Sequence, residues 1–176
     1  DGYLSRFNQR VPFISDDYSL YNSYEFTTFN QVKEIVTKLS IQARAINSIT
    51  DDDVRVSKRL YAPSSRLRGF QRGKVGPVDA GDFVGGNYVT TLNMSAELPV
   101  LDSLDTITLS SFYDAANIWG VDYTSIDETN TIRSSVGLSA NIFTTIGPLS
   151  FVLAQAITTS SQDVTEKFNF RLGTSF

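Results

Sequence analysis

Asn87-Tyr88-Val89-Thr90-Thr91-Leu92-Asn93-Met94-Ser95-Ala96-Glu97-Leu98-Pro99 is the stretch whose reading decides the fold. Asn87, Thr91, Asn93, Ser95 and Glu97 share one parity; Tyr88, Leu92, Met94, Ala96 and Leu98 share the other. A period of two marks a strand with two unlike faces. Gly85-Gly86 precedes the run, and Pro99, which has no N–H to give a ladder, ends it. The polar face carries small side chains in place of a packed aliphatic layer. Soluble strands run to ~5–6 residues, whereas strands that cross a bilayer need ~9–11, and this run has the longer length.

The pattern repeats on both sides. Downstream, Asp105 to Ile118 alternates Thr106, Thr108, Ser110, Phe112 and Asp114 with Ile107, Leu109 and Tyr113. Ile132 to Phe143 and Leu149 to Ile157 follow, with Ile146-Gly147-Pro148 as a tight turn. The last strand, Lys167 to Phe176, sets Phe168, Phe170, Leu172 and Phe176 opposite Asn169, Arg171, Gly173 and Ser175. Upstream, Asp1 to Arg10, Tyr18 to Phe29 and Ile35 to Ile46 read as strands, rich in β-branched and aromatic residues. Connections alternate in length. Asn30-Gln31, Pro99 to Leu104 and Thr144 to Gly147 are short; Asn47 to Asp82, Gly120 to Thr131 and Thr158 to Glu166 are long. About eight long strands with one apolar and one small polar face predict an all-β chain, an antiparallel transmembrane β-barrel with lipid outside and a polar lumen. The competing reading is a soluble sandwich or barrel, which would fill one face with aliphatic side chains.

The longest connection, about 47–84, carries Arg59, Arg66, Arg68, Arg72 and Lys74 interleaved with Tyr61 and Phe70. A structureless stretch of this length inside a β protein is functional or disordered, and its aromatics argue against disorder. It reads as a loop that folds back onto the sheet and fixes a cation there; the alternative is a solvated basic loop. Asp51-Asp52-Asp53 lacks the spaced ligands and glycine of a calcium loop and reads as an acidic turn, so no metal or cofactor is expected.

Composition narrows the function. The 176 residues include no cysteine and no histidine, at a net charge of −4. Disulfides, thiolate metal sites and thiol nucleophiles are absent from this chain, as are Ser/His/Asp and histidine acid–base chemistry. A spread acidic excess disfavours nucleic acid as a partner. No run reaches the ~18 apolar residues of a transmembrane helix. The first residues, Asp1-Gly2-Tyr3-Leu4, lack the basic start and apolar core of a signal peptide, so the chain reads as mature protein or part of a longer one.

Within this frame Leu67-Arg68-Gly69-Phe70 resembles the [V/L]RG[F/Y] loop motif of the BamA/TamA-type superfamily of outer-membrane protein assembly barrels. Val75-Gly76-Pro77, Val84-Gly85-Gly86-Asn87, Glu97-Leu98-Pro99, Phe112-Tyr113-Asp114-Ala115-Ala116-Asn117-Ile118-Trp119, Arg133-Ser134-Ser135-Val136-Gly137 and Ile146-Gly147-Pro148-Leu149-Ser150-Phe151 are similar to family segments in the same order, from about residue 54 to the end. Ala116 departs from the glycine usual in the family. The resemblance implies that residues 1–176 are the C-terminal half of a sixteen-stranded barrel preceded elsewhere by POTRA domains. It implies a bacterial outer-membrane location and a role in folding and inserting β-barrel clients, with assembly-complex lipoproteins, the lipid bilayer and lipopolysaccharide as partners. It also implies a lateral gate with Phe168, Phe170, Gly173 and Phe176 on its terminal strand. A translocation barrel of the TamA type, a two-partner secretion transporter and a passive porin are the alternatives. An enzyme is not expected, because the resembling barrel hydrolases need a histidine.

For the loop arginine, the resemblance implies carboxylate partners on the wall, and the matching residues are Glu97 and Asp114. Parity places both toward the lumen on adjacent strands, where one planar guanidinium would span them. Gly69 would let the backbone approach the wall, and Phe70 would pack the loop down.

Overall fold

The computed structural model describes residues 1–12, 18–50, 52–99, 106–122, 126, 130–145 and 147–173. Phe176, Asp51, Ile146, Asp105 and most of the turn after Pro99, all used in the sequence reading, lie outside the described residues. The alternating segments form β1 (Gly2–Arg10), β2 (Ser19–Val32), β3 (Ile35–Ser48), β6 (Tyr88–Glu97), β7 (Ile107–Trp119), β8 (Arg133–Thr144), β9 (Gly147–Thr158) and β10 (Phe168–Leu172). They make one antiparallel eight-stranded sheet in the order β1-β2-β3-β6-β7-β8-β9-β10, so each strand pairs with its neighbour along the chain. Between β3 and β6 the described residues of the long connection add a three-residue 3-10 turn, Val56–Lys58, and a small hairpin of β4 (Val78–Asp79) and β5 (Asp82–Phe83).

Up-and-down pairing satisfies nearly every backbone group inside the sheet, the condition for strands to cross lipid. β2 and β3 each run 14 residues, β7 13, β8 and β9 12. The turn between β2 and β3 falls at Lys33-Glu34, not Asn30-Gln31. Asn30, Gln31 and Val32 continue the ladder against Thr37, Val36 and Ile35, and Lys33 takes the positive φ of 58° that the tight reversal needs. Ladder hydrogen bonds outweigh the local turn preference of asparagine. β9 likewise begins at Gly147, which pairs with Thr144, so Gly147 and Pro148 belong to the strand and not to a turn.

Tyr24, Ile41, Met94, Leu138, Leu153 and Phe168 are exposed on the outer face. The inner face is not small and polar throughout. Val89, Ala116 and Ile118 on β6 and β7, with Ile46 on β3, are buried against Val54, Leu60, Leu67, Phe70 and Val75 of the long connection. The hydrophobic core therefore lies between the loop and the loop-side end of the inner wall. A second buried group, Phe112, Val152 and Ala154, sits next to it.

Gly137 makes room for the Phe112 ring, its partner across the β7–β8 ladder. A Cβ there would lie 2.1 Å from the Leu153 carbonyl and 2.6 Å from Phe112 Cζ. Gly137→Ala is expected to lower stability by about 1–3 kcal/mol through overpacking, read as a drop in the unfolding temperature of the folded barrel band on gels. An unchanged temperature would mean that β8 yields without cost.

Candidate functional site inside the sheet

The loop enters the lumen through a turn at Pro63, whose carbonyl accepts from Arg66 N (2.8 Å) and Leu67 N (3.1 Å). That turn aims successive side chains in different directions. Leu67 and Phe70, 2 % and 3 % exposed, anchor the loop in the core, while Arg66 and Arg68 reach opposite ways along the wall.

Arg68 meets Asp114 of β7. Its Nε donates to Oδ2 at 2.7 Å, its Nη2 to Oδ1 at 2.8 Å, and its backbone N to Oδ2 at 3.1 Å. Asn93 Nδ2, directly across the ladder, donates to Oδ1 at 2.8 Å. The carboxylate thus accepts four hydrogen bonds, close to its full capacity, and the Asp114 side chain is 0 % exposed. The Arg68 guanidinium carbon lies 3.5 Å from the centre of the Phe112 ring, a cation–π contact that holds the fork flat. Ser135 of β8 donates through Oγ to the Arg68 carbonyl. Gly69 follows with φ 87°, and a Cβ on it would stand 3.1 Å from Ala154 Cβ and 3.2 Å from Ser135 Cβ. Both the backbone sign and the close approach call for glycine.

Glu97 is not in this cluster, which corrects the reading of one guanidinium shared by two carboxylates. Asp114 faces Asn93, and Glu97 lies four residues further along β6, opposite Ser110. At ~3.4 Å per residue the offset is about 13 Å, beyond the reach of an arginine already committed to Asp114, and Glu97 is exposed. Parity identified the shared face but carried no information on height along it. The neutral Asn93 fills the place given to the second acid.

Arg66, one of the loop cations the sequence shows, has a wall partner that the sequence does not assign. It forms an ion pair with Glu25 of β2 and donates from Nη1 to Ser40 Oγ of β3 at 2.6 Å. Its carbonyl accepts from Asn93 Nδ2 at 2.7 Å. The two arginines thus tie the loop to strands from β2 to β8, four ladder spacings or roughly 19 Å. The inward parity of Glu25, between Ser23 and Thr27, was the available signal. A further buried pair closes the neighbouring rim. Arg133 Nε and Nη2 donate to Asp163 Oδ2 and Oδ1 at 3.0 and 3.3 Å, with both side chains 0 % exposed. In the same loop Tyr61 donates its hydroxyl to the Phe83 carbonyl at 3.1 Å, and burial raises its pKa above the ordinary phenol value, against a smaller opposing influence from Arg59.

Phe168 and Phe170 of β10 face outward and are exposed, Phe170 resting 5.1 Å from the Phe151 ring of β9. Gly173 extends the β9 contact by donating from N to the Pro148 carbonyl at 2.8 Å.

Comparison with known proteins points the same way. The Omp85 superfamily domain model matches residues 1–176. The outer membrane protein assembly factor BamA of Neisseria meningitidis serogroup B (strain ATCC BAA-335 / MC58) is 28 % identical over 141 residues, 62 % of this chain and 17 % of that protein. The crystal structure of BamA from Haemophilus ducreyi lacking POTRA domains 1–3 superposes with a TM-score of 0.81 at 22 % identity, over 92 % of this chain and 36 % of that one. The chain therefore spans well under half the length of these relatives. Long strands with an apolar outer face, a basic loop seated in the lumen and a family match over the whole sequence converge: the chain belongs to the Omp85 superfamily and forms antiparallel transmembrane β-barrel wall in a bacterial outer membrane.

Proposed function

We propose that this chain is the C-terminal part of the barrel of an assembly factor that folds and inserts β-barrel proteins into the outer membrane, with β10 as one edge of a lateral gate. The observation that carries this reading is the place of β10 at the edge of the eight-stranded sheet, where among the described residues it is laddered to β9 on one side only, from Phe168↔Leu153 to Leu172↔Leu149. An open strand edge is a template on which an incoming strand adds by β-augmentation. Its outward Phe168, Phe170 and Leu172 keep that edge at lipid depth. The clients are unfolded outer-membrane β-barrel chains, and the partners include assembly-complex lipoproteins, the bilayer and lipopolysaccharide. The role is mechanical, not enzymatic.

These 176 residues contain no cysteine, so a cysteine placed in β10 is the one thiol they contribute. A cysteine in β10 bonded to one in the first strand of the complete barrel should stop porin assembly when oxidised and restore it when reduced. Porin assembly continuing in locked cells would end the gating idea. A passive porin is disfavoured by the loop core, in which Leu67 and Phe70 occupy lumen space. Steady single-channel conductance would favour the porin instead.

A further inference from the structure

The backbone just beyond the arginine motif does not stop at the wall. Gln71 N donates to the Val164 carbonyl at 2.9 Å, Val164 N to the Lys74 carbonyl at 3.0 Å, and Glu166 N to the Gly69 carbonyl at 3.0 Å. Phe70 and Thr165 form an antiparallel bridge. Residues 164–166 are the run-in to β10, so a short strand pairing joins the lumen loop to the start of the terminal strand. A side chain repeats the link further along. Arg171, half-buried on the lumen face of β10, donates from Nη2 to the Ser64 carbonyl at 3.2 Å, and from Nε to Asn169 Oδ1 at 3.2 Å. Asn169 Nδ2 donates in turn to Glu166 Oε2 at 2.7 Å. The same loop is fixed to β7 by Arg68–Asp114 and to β8 by Ser135 Oγ.

We infer that the loop is a clasp on the terminal strand: Arg171 is a positioning residue, and Arg171 with the 164–166 pairing holds β10 from the lumen side, in register with β7 and β8. This deepens the proposed gating reading and rests on it for its functional meaning. Among the described residues β9 pairs with β10 from Phe168 to Leu172, and Ala154 N donates to the Lys167 carbonyl and Gly173 N to the Pro148 carbonyl at the two ends. The loop adds three backbone hydrogen bonds at the run-in and one from Arg171. Drawing the loop away from Asp114 therefore removes the restraints that hold β10 from the lumen side. A loop movement becomes a release of the edge.

The test is hydrogen exchange on the complete protein in phospholipid vesicles. Arg171→Met and, separately, Val164→Pro, which deletes the Val164 N–H donor and leaves the β9–β10 donors in place, should each speed exchange of the β10 amides roughly tenfold, the value of one or two net hydrogen bonds. β2 and β3 should be unchanged, and Arg171→Lys, which keeps a donor for the Ser64 carbonyl, should restore most of the protection. Unchanged β10 exchange in both variants would overturn the clasp. So would acceleration spread equally over β2 and β3, because that reports general destabilisation. Porin assembly, measured in the same variants, separates the two readings. Loosened β10 with normal assembly keeps the clasp and removes the gate, whereas loosened β10 with altered assembly supports both.

Discussion

Arg68→Ala is expected to lower the unfolding free energy of the barrel by about 3–5 kcal/mol, the penalty for leaving one member of a deeply buried pair without its partner. Asp114 is 0 % exposed and loses two of its four hydrogen bonds together with its counter-charge. It keeps only those from Asn93 and the loop backbone. Loss of the guanidinium also uncovers the Phe112 ring. The measurement is denaturant unfolding in lipid vesicles, arranged as a double-mutant cycle with Asp114→Leu. The two single variants should each fall by the full amount, and Arg68→Ala with Asp114→Leu should fall by less than their sum, since removing both partners leaves no stranded charge. A single-variant loss under about 1 kcal/mol, the value of a solvated pair, would mean that the site is wet. Porin assembly should fall with stability, because the loop loses its hold on β7.

The second large effect is expected at Asp163. Asp163→Ala takes away the carboxylate that accepts from Arg133 Nε and Nη2, a guanidinium whose side chain is as fully buried as its partner's and whose Nη1 keeps the Thr131 carbonyl. It also removes the acceptor for Ser160 N at 2.6 Å. The loss should again be about 3–5 kcal/mol, with the added mark of faster protease cleavage within residues 159–167, which Asp163 folds against the start of β8. Cleavage at the parental rate would show that backbone contacts alone hold that connection. By contrast the Arg66–Glu25 pair, with each side chain 19 % exposed, belongs to the ~1 kcal/mol class.

Much of this was open to reading in the residues. Strand existence followed from period two, because a one-residue slip would turn every side chain to the wrong face, and the faces read from Asn93 and Asp114 or from Phe168 and Arg171 are those the sheet presents. The turn after β2 was misplaced because Asn30-Gln31 carries turn chemistry while the ladder gains by running on to Val32 and Ile35. At the site, the motif points to Arg68, Gly69 and Asp114, whereas Glu97 stands opposite Ser110, four residues along β6 from Asn93. Alternation says which face a residue takes; only register says how far along the strand it stands.

What the sequence determined by itself is local and periodic: strand length, the two faces, the lack of histidine and cysteine chemistry, and a glycine where the loop must turn. What only the tertiary structure decided is which distant groups meet: Asn93 in place of Glu97 beside Arg68, Glu25 with Arg66, Arg133 with Asp163, and the loop backbone against residues 164–166. The reason is physical. A side chain's face is set by its own backbone through a two-residue repeat, whereas its partner is set by the hydrogen-bond register of several strands and by the path of a loop, and these depend on the whole sheet at once.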